Sequence, residues 1–489
     1  MRVFPKIKDE NFNGEEFVFG KILTLTLSKK FYIKSQANLF AELYKNFTAG
    51  IGVLKIAVID SDEKTAVLTS KAYATLPVVD VETDDYALKV DERKAELHFQ
   101  DEKSLAHAFC TLLALIEVRN TVKGKETFTL PQGVARDKPI GDFRAIHLCV
   151  FSYTTMDYLQ KYVRLAGFMK LSYVVLEFWK TYPFACFKAG VDKGAFSKRE
   201  LMKLCEVAKA LGVEIIPMIN TLGHASWGSR KSGEHLALYN NPKLADLYDT
   251  IGWNWNVRNP RVLALQKQMI DELIQTFDGC AYVHLGCDEA FGFGVDRIFQ
   301  GDKKPTEYMC EHINALARYV KSKGKTSLIW GDMLLPRKPE WVEHKTECHA
   351  LSEESAQILI NGLDKDIVLV DWQYTITYDD IPTAKYLSEQ GFKVIMAPWR
   401  ETKPRIACQA NVEKYGYLGL MLTTWDEKAL NRIYAEGATL AWNGAEEMQK
   451  HFATYGGTAA ITVINYYIRN VYKPKKLKFE DSGAYKANL

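Results

Sequence analysis

Two adjacent carboxylates, Asp288 and Glu289, follow a short apolar run that ends at Gly286. Such a run is typical of a buried strand, and the carboxyl end of a barrel strand is where chemistry is placed. Neighbouring side chains of a regular strand point to opposite faces, so both carboxylates reach one pocket only where the strand gives way to a loop. Gly286 permits a close backbone approach just before the pair. Asp-Glu is also common in solvated turns, so the surrounding sequence must decide between these interpretations.

The composition restricts the class of protein. Of 489 residues, 47% are hydrophobic and 25% are charged, as in soluble globular proteins, and the length favours two domains, one of them large. The net charge of +3 is spread over interleaved acids and bases and indicates no nucleic-acid partner.

Localisation follows from the absence of two sequence signals. The N-terminus has no apolar leader segment, and no stretch of about 18 apolar residues occurs, so neither secretion nor membrane association is expected unless a leader was removed. The nine cysteines lack CxxC pairing and predict reduced thiols rather than disulfides or a zinc site. A cytoplasmic protein is therefore predicted.

The first 138 residues predict a separate, non-catalytic α+β domain. The segment 131–139 is rich in turn formers and predicts the linker that follows it. Alternating or apolar runs predict the strands, and apolar residues at helical spacing predict the helices. The strands are expected at 17–19, 23–27, 53–59, 86–90 and 95–99, and the helices at 37–47 and 104–117.

Residues 139–489 predict a catalytic (β/α)8 TIM barrel with a C-terminal helical extension, because eight strands alternate with helices over about 300 residues. A doubly wound open sheet is the alternative, but it usually carries a Gly-rich turn after its first strand, and residues 149–152 contain none. The apolar stretch 459–472 predicts a helix packed on the barrel or on the second subunit of a homodimer. The barrel strands are expected at 143–150, 173–178, 213–219, 281–286, 326–330, 367–371, 392–397 and 418–424. The helices are expected at 157–170, 197–211, 259–277, 305–323, 352–361, 381–390 and 408–415.

The active site of a TIM barrel lies at the carboxyl ends of its strands. The sequence places Glu177 after the second strand, His224 after the third, and the carboxylate pair after the fourth. A tryptophan stands at each of the next four strand ends, which predicts an aromatic-walled pocket of the kind that sugars need, because their C–H faces stack on aromatic rings. These tryptophans are Trp330, Trp372, Trp399 and Trp425, and Asp332, Tyr374 and Arg400 stand beside them.

The motif His284-x-Gly286-x-Asp288-Glu289 resembles the catalytic motif of glycoside hydrolase family 20, the β-N-acetylhexosaminidases. Residues 86–90 are similar to the family's non-catalytic domain, and 217–224 and 425–427 to its third and eighth barrel strands. The resemblance implies a retaining exo-enzyme that removes terminal β-linked GlcNAc or GalNAc. In that family the substrate's own acetamido oxygen is the nucleophile, and an oxazolinium intermediate forms.

The resemblance also implies roles for individual residues. Asp288 would hold the acetamido N–H and stabilise the oxazolinium, and Glu289 would protonate the leaving oxygen and then activate water. Burial is expected to raise the pKa of Glu289 while Asp288 stays ionised. The implied substrate-binding residues are Arg144 and Glu427 for the ring hydroxyls, Trp330, Trp372 and Trp425 for the pocket walls, Tyr374 for the acetamido oxygen, and Glu177 and His224 beside the pair.

The sequence departs from the family at several supporting positions. The His-x-His and paired Asp that much of the family carries after strand two are absent, Asn220 stands where an Asp is expected, and Cys149 stands where an Asp is common. Glu177 is interpreted as the acid that replaces the absent Asp behind the site. These features are similar to the branch that contains the cytosolic, non-lysosomal hexosaminidases.

Two other interpretations stay open. A sugar-binding barrel that has lost its activity would also explain the departures, since fold alone does not establish activity. A metal-dependent hydrolase would require His147, His284 and Asp288 to bind an ion. No metal or other cofactor is predicted, because no His-x-His or equivalent ligand pair is present. The expected partner is an oligosaccharide or glycoconjugate that ends in an N-acetylhexosamine, and the sequence does not choose between GlcNAc and GalNAc.

Overall fold

Two sheets organise the computed structural model, which describes residues 5–78, 85–120, 126–226, 234–376, 378–425, 430–455 and 458–474. The strands are β1 Asp9–Phe19, β2 Ile22–Ser28, β3 Val53–Ile59, β4 Thr65–Thr69, β5 Tyr86–Val90, β6 Ala95–Phe99, β7 Glu117–Asn120, β8 Glu126–Asp137, β9 Phe143–Val150, β10 Tyr173–Phe178, β11 Glu214–Met218, β12 Tyr282–His284, β13 Thr326–Trp330, β14 Val368–Trp372, β15 Lys393–Ala397 and β16 Gly419–Leu422. The helices are α1 Lys34–Phe47, α2 Glu102–Leu115, α3 Met156–Phe168, α4 Lys198–Ala210, α5 Ala237–Asn240, α6 Pro260–Thr276, α7 Gly292–Val295, α8 Pro305–Ser322, α9 Pro339–Val342, α10 Glu353–Gly362, α11 Pro382–Glu389, α12 Thr402–Tyr415, α13 Leu430–Tyr455 and α14 Thr458–Val471.

The N-terminal sheet runs in the order β1-β8-β5-β6-β4-β2-β3, with β7 paired to β8. The predicted linker at 131–139 is wrong for residues 131–137, because they form the second half of β8, and residues 133–137 pair with β5. Pro131 misled the prediction, since proline cannot donate to a sheet ladder. In the structure it lies opposite Glu16, where the register between β1 and β8 shifts, and a proline is tolerated at such an irregularity.

The eight strands β9 to β16 form the predicted TIM barrel. All neighbours pair in parallel, and β16 pairs with β9, which closes the sheet and excludes the open-sheet alternative. Rings from three strands fill the amino-terminal end of the barrel, where Phe143 lies 4.7 Å from Tyr173 and 5.6 Å from Tyr282. These rings occupy the centre of the barrel at this end, and the active site of a TIM barrel lies at the opposite, carboxyl end.

Helix boundaries follow from local capping, with one clear error in the prediction. The helix α4 begins after Ser197, whose side chain and that of Glu200 form a reciprocal capping box. The helix α12 begins at Thr402, six residues before the predicted start at 408. Pro404 lies in the first turn of this helix, where proline is tolerated because its missing N–H has no intrahelical partner.

The apolar C-terminal stretch forms α14, which packs on the same chain. The ring of Tyr467 lies 4.6 Å from that of Phe168 on α3 and 6.2 Å from that of Phe47 on α1. These contacts bury the apolar face of α14, and the homodimer stays a prediction. No described helix combines the length and the apolar character needed to cross a membrane.

Candidate active site

The chain leaves β12 at His284 through a run of left-handed backbone. Gly286 has φ +65°, and Cys287 and Glu289 have φ +79° and +47°. A Cβ on Gly286 would lie 1.8 Å from Oδ1 of Asn220, so only glycine fits there. This irregular backbone breaks the strand alternation and brings Asp288 and Glu289 to one site, as the sequence predicts.

Gly286→Ala is therefore expected to destabilise the protein more than an alanine at another left-handed position that has free space around it. The strain of placing alanine at positive φ costs about 1–2 kcal/mol, and displacing Asn220 adds about 1–3 kcal/mol. Gly324→Ala is the matched control, because Gly324 has φ +73° and nothing lies within 4 Å of its added Cβ. The free energy of unfolding in urea should fall further for Gly286→Ala. Equal losses would mean that Asn220 moves aside without cost.

A single histidine joins the two carboxylates. Nε2 of His224 lies 3.1 Å from Oδ2 of Asp288 and 3.3 Å from Oε2 of Glu289. The preceding Gly223 allows this approach, because a Cβ there would lie 2.3 Å from the carbonyl oxygen of Asp288. The loop after β11 and the loop after β12 are thus in backbone contact beneath the carboxylate pair.

The electrostatics reverse the pKa order that the sequence predicts. Burial raises the pKa of Asp288 to about 6 against the opposing effect of His224. The hydrogen bond from His224 lowers the pKa of Glu289, whose side chain is 31% exposed and so loses less hydration. Burial lowers the pKa of His224, but both carboxylates outweigh it and hold that pKa well above its ordinary value. The two opposite pKa shifts favour a protonated His224 beside an ionised Glu289.

Glu177 lies behind the site rather than on its surface. The side chain is buried, Nδ2 of Asn220 donates to its Oε1 at 2.9 Å, and Nε2 of His147 lies 3.0 Å from its Oε2. The thiol of Cys149 donates to the same Oε2 at 3.4 Å. The grouping of Glu177 with the substrate-binding residues is therefore wrong, whereas its interpretation as a supporting acid matches this position.

Aromatic side chains from β13, β14 and the loops after β14 and β16 surround the space in front of the pair. The rings of Trp330 and Trp425 lie 6.1 Å apart, and those of Trp372 and Tyr374 lie 4.8 Å apart. Nε1 of Trp425 donates to the hydroxyl oxygen of Tyr374 at 2.8 Å, and the side chain of Thr423 forms a further hydrogen bond with the same hydroxyl.

Several buried polar atoms around this space lack a partner among the described residues. They are Nε1 of Trp330, Nε1 of Trp372 and Oδ1 of Asp288. Buried donors and acceptors are rarely left unsatisfied, so their concentration here indicates a site completed by water or by a polar ligand. The two indole N–H donors can bind the oxygen of an amide group, and the Asp288 oxygen can accept its N–H.

Asp332, which the sequence places at a strand end, and Trp253, which it does not single out, hold the backbone of Glu289. Its N–H donates to Oδ2 of Asp332 at 3.1 Å, and Nε1 of Trp253 donates to its carbonyl oxygen at 2.9 Å. Nδ1 of His349 lies 3.1 Å from the same Asp332 oxygen. Asp332 was visible as a strand-end residue, but Trp253 and His349 lie in long loops and had no positional signal.

Arg144 does not lie in the cluster, and its contacts in the structure do not support the predicted role as a sugar ligand. It is the second residue of β9, at the packed end of the barrel, and its side chain points outward to the helices. Its Nε donates to the carbonyl of Lys170 at 3.2 Å, and the guanidinium lies 5.6 Å from the Trp442 ring. Glu427, the other predicted hydroxyl ligand, lies outside the described residues.

The metal-ligand set considered from the sequence is not brought together. Within the described part of the chain, the group whose ligand atoms lie within 4.8 Å of one another is His147, Cys149 and Glu177. These three residues could hold an ion, but they already contact one another and are buried. Nδ1 of His284 instead accepts from the N–H of Gly286 at 3.1 Å, and Asp288 contacts His224.

Comparison with known families gives two matches to family models. The model described as glycosyl hydrolase family 20, catalytic domain, matches residues 182–439, and the model for domain 2 of the same family matches residues 1–138. The two ranges take in the N-terminal sheet and the barrel strands β11 to β16, and the strands β9 and β10 lie between them.

Similar curated proteins include human Hexosaminidase D, 27% identical over 194 residues, and Lacto-N-biosidase of Bifidobacterium bifidum, 26% identical over 223 residues. These alignments cover 38% and 43% of this chain but 35% and 19% of the two relatives, so the matches span little more than a third of their length at most.

Similar solved structures share the fold at low identity. Flavobacterium johnsoniae chitobiase gives a TM-score of 0.68 at 15% identity, over 96% of this chain and 73% of the other. Streptomyces plicatus N-acetyl-β-hexosaminidase gives 0.65 at 15% identity, over 96% of this chain and 95% of the other. At such identity the likeness establishes the architecture and leaves the chemistry to the residues of the site.

Proposed function

The chain belongs to glycosyl hydrolase family 20, and from that premise we propose that it is a retaining, exo-acting β-N-acetylhexosaminidase. Its substrates would be oligosaccharides or glycoconjugates that end in β-linked GlcNAc or GalNAc. The observation that carries the proposal is that the buried Asp288 and the half-buried Glu289 both contact His224. They face tryptophans whose N–H groups lack partners among the described residues.

The acetamido group of the substrate fits Oδ1 of Asp288, which has no partner among the described residues, together with the hydroxyl of Tyr374. Oδ1 of Asp288 would accept the acetamido N–H, and the hydroxyl of Tyr374 would donate to the acetamido oxygen. Held in this way, that oxygen attacks the anomeric carbon of its own sugar at high effective molarity. The resulting oxazolinium is positively charged, and the Asp288 carboxylate stabilises it at hydrogen-bond distance.

The proton for the leaving group starts on His224. The resting site carries one proton on His224 and two ionised carboxylates, and the reactive site needs the same number of protons, with one moved to Glu289. The transfer joins Nε2 of His224 to Oε2 of Glu289 across 3.3 Å. Glu289 then protonates the glycosidic oxygen as the bond breaks, and its carboxylate later removes a proton from the attacking water.

These required protonation states of Asp288, His224 and Glu289 predict a bell-shaped pH profile for kcat/KM. Asp288 must be ionised, and its pKa is about 6, so activity should fall as the pH drops below about 6. The proton shared by His224 and Glu289 is lost as the pH rises through the raised pKa of His224, so activity should fall again on the alkaline side. His224→Ala should move the alkaline limb to lower pH, because Glu289 alone then carries that proton. An unmoved limb would assign the proton to another group.

The proposal is tested by hydrolysis of nitrophenyl β-GlcNAc and β-GalNAc, with and without a thiazoline that mimics the oxazoline. Hydrolysis with retention and competitive inhibition by the thiazoline are expected. Tight binding of the thiazoline without hydrolysis would instead support the sugar-binding barrel, which the replacements Asn220 and Cys149 motivate. Neither hydrolysis nor binding would reject both functions, and metal analysis of the purified protein then tests a hydrolase that uses an ion.

A further inference from the structure

A row of aromatic rings leads from the catalytic histidine to the protein surface. The ring of Trp179 lies 6.0 Å from that of His224, Phe151 lies 5.8 Å from Trp179, and Tyr153 lies 5.3 Å from Phe151. Exposure increases along the row: Trp179 and Phe151 are half-buried, and Tyr153 is 58% exposed. We call Trp179, Phe151 and Tyr153 the aromatic row.

The main chain holds the aromatic row in place. Phe151 and Trp179 directly follow β9 and β10, and the N–H of Trp179 donates to the carbonyl of Val150 at 3.0 Å. The N–H of Phe151 donates to the hydroxyl oxygen of Thr154 at 3.0 Å, and the N–H of Thr154 donates back to the Phe151 carbonyl at 2.9 Å. The rings therefore form a pre-organised surface, which lowers the entropic cost of binding.

The row begins at His224, which contacts both carboxylates of the pair. His224, which the row contacts, lies within 3.3 Å of the Glu289 carboxylate that would protonate the glycosidic oxygen. The ring of Trp253 also packs on His224, with the two ring centres 4.3 Å apart. Its Nε1 donates a hydrogen bond to the carbonyl oxygen of Glu289. The sugars beyond the scissile bond must leave the pocket past Glu289, and the aromatic row starts at that point.

Polar groups lie beside the outer end of the row. The hydroxyl of Ser152, between Phe151 and Tyr153 in sequence, donates to Oδ2 of Asp192 at 2.6 Å. That hydrogen bond lowers the pKa of Asp192, so the carboxylate is ionised at neutral pH. A carboxylate next to aromatic rings offers sugar hydroxyls an acceptor while the rings receive the C–H faces.

We propose that the aromatic row binds the sugars on the leaving-group side of the scissile bond, so that the preferred substrate is a β-linked oligosaccharide with at least two sugars beyond the terminal N-acetylhexosamine. This inference rests on the proposed hydrolase function. A pre-formed stacking surface continuous with the catalytic pair selects for chain length, because each further sugar gains a ring contact that a single-sugar or aryl glycoside does not make.

The test compares a substrate that has two sugars beyond the scissile bond with one that has none. In the wild type, kcat/KM for the β-linked trimer of GlcNAc should exceed that for methyl β-GlcNAc by about tenfold or more. Tyr153→Ala and Phe151→Ala should each lower this ratio by about threefold to tenfold, as expected for one lost aromatic contact. Tyr466→Ala, which removes a 44% exposed aromatic ring on α14, is the matched control and should keep the wild-type ratio.

Binding separates failure of this inference from failure of the proposed function. Calorimetry with Glu289→Gln measures the affinities for GlcNAc and its trimer, and Tyr153→Ala in that background should weaken the trimer selectively. A wild type that hydrolyses both substrates with equal kcat/KM, unchanged in Tyr153→Ala, would overturn the aromatic row as a binding site and leave the hydrolase intact. A wild type without hydrolysis that still binds the trimer through Tyr153 would reject the hydrolase and keep the row.

Discussion

Glu289→Gln is expected to lower kcat on a β-linked GlcNAc dimer by on the order of 10² to 10⁴, because the variant removes the general acid and base while keeping the size of the side chain. The leaving sugar alkoxide is a strong base and cannot depart without a proton. Glutamine still accepts the hydrogen bond from His224 Nε2 through its amide oxygen, so the geometry at 3.3 Å is retained. The loss therefore reports the chemistry rather than a rearranged pocket.

The dependence on the leaving group identifies the role. Dinitrophenolate is a weak base and departs with little protonation. Glu289→Gln should therefore slow formation of the intermediate far less from a dinitrophenyl glycoside than from the dimer. Glu311→Gln is the control, because Glu311 lies on α8 and pairs with Lys303 away from the pocket; it should retain wild-type kcat. An equal loss on both substrates would remove Glu289 from the role of acid.

The barrel strands were predictable because their signal is local. Buried parallel strands are continuous apolar runs, and the ends of β9, β10 and β13 match the predicted ends. Gly286 was predictable for the same reason, since a glycine before a polar pair indicates close backbone approach. The prediction failed at β8, where Pro131 indicated a loop but the partner strand bulges to accept it.

The candidate site was less predictable, because side-chain direction and charge coupling are set by tertiary structure. Arg144 lies on the predicted strand, yet a strand position does not determine which face a side chain takes unless the register is known. The pKa order of the pair depends on His224, which is distant in sequence and approaches only because of the turn at Gly223. Burial alone would raise the pKa of both carboxyl groups. The hydrogen bond from His224 outweighs burial at Glu289 and lowers the pKa there.

Asp288→Asn is expected to lower kcat by on the order of 10² to 10³ on aryl and sugar glycosides alike, because the lost charge stabilises the oxazolinium and not the leaving group. Asparagine keeps the shape of the side chain and can still accept the acetamido N–H through its amide oxygen, so KM should change less than kcat. Affinity for the protonated thiazoline should fall in parallel with kcat. A loss confined to poor leaving groups would place Asp288 in proton transfer instead.

Asp371→Asn is the control that separates the charge of Asp288 from the effects of any buried acid. Asp371 is also buried, and burial raises its pKa to about 6 as well, but it accepts from Gln373 at 2.8 Å and Thr383 at 2.7 Å behind β14. Since both carboxyls titrate near the same pH, wild-type data alone cannot assign the acid limb of kcat/KM. The limb near pH 6 should persist in Asp371→Asn and vanish from the residual activity of Asp288→Asn. If the limb vanished in Asp371→Asn and persisted in Asp288→Asn, it would report the ionisation of Asp371 and the stability of the fold around β14, and not the ionisation of Asp288.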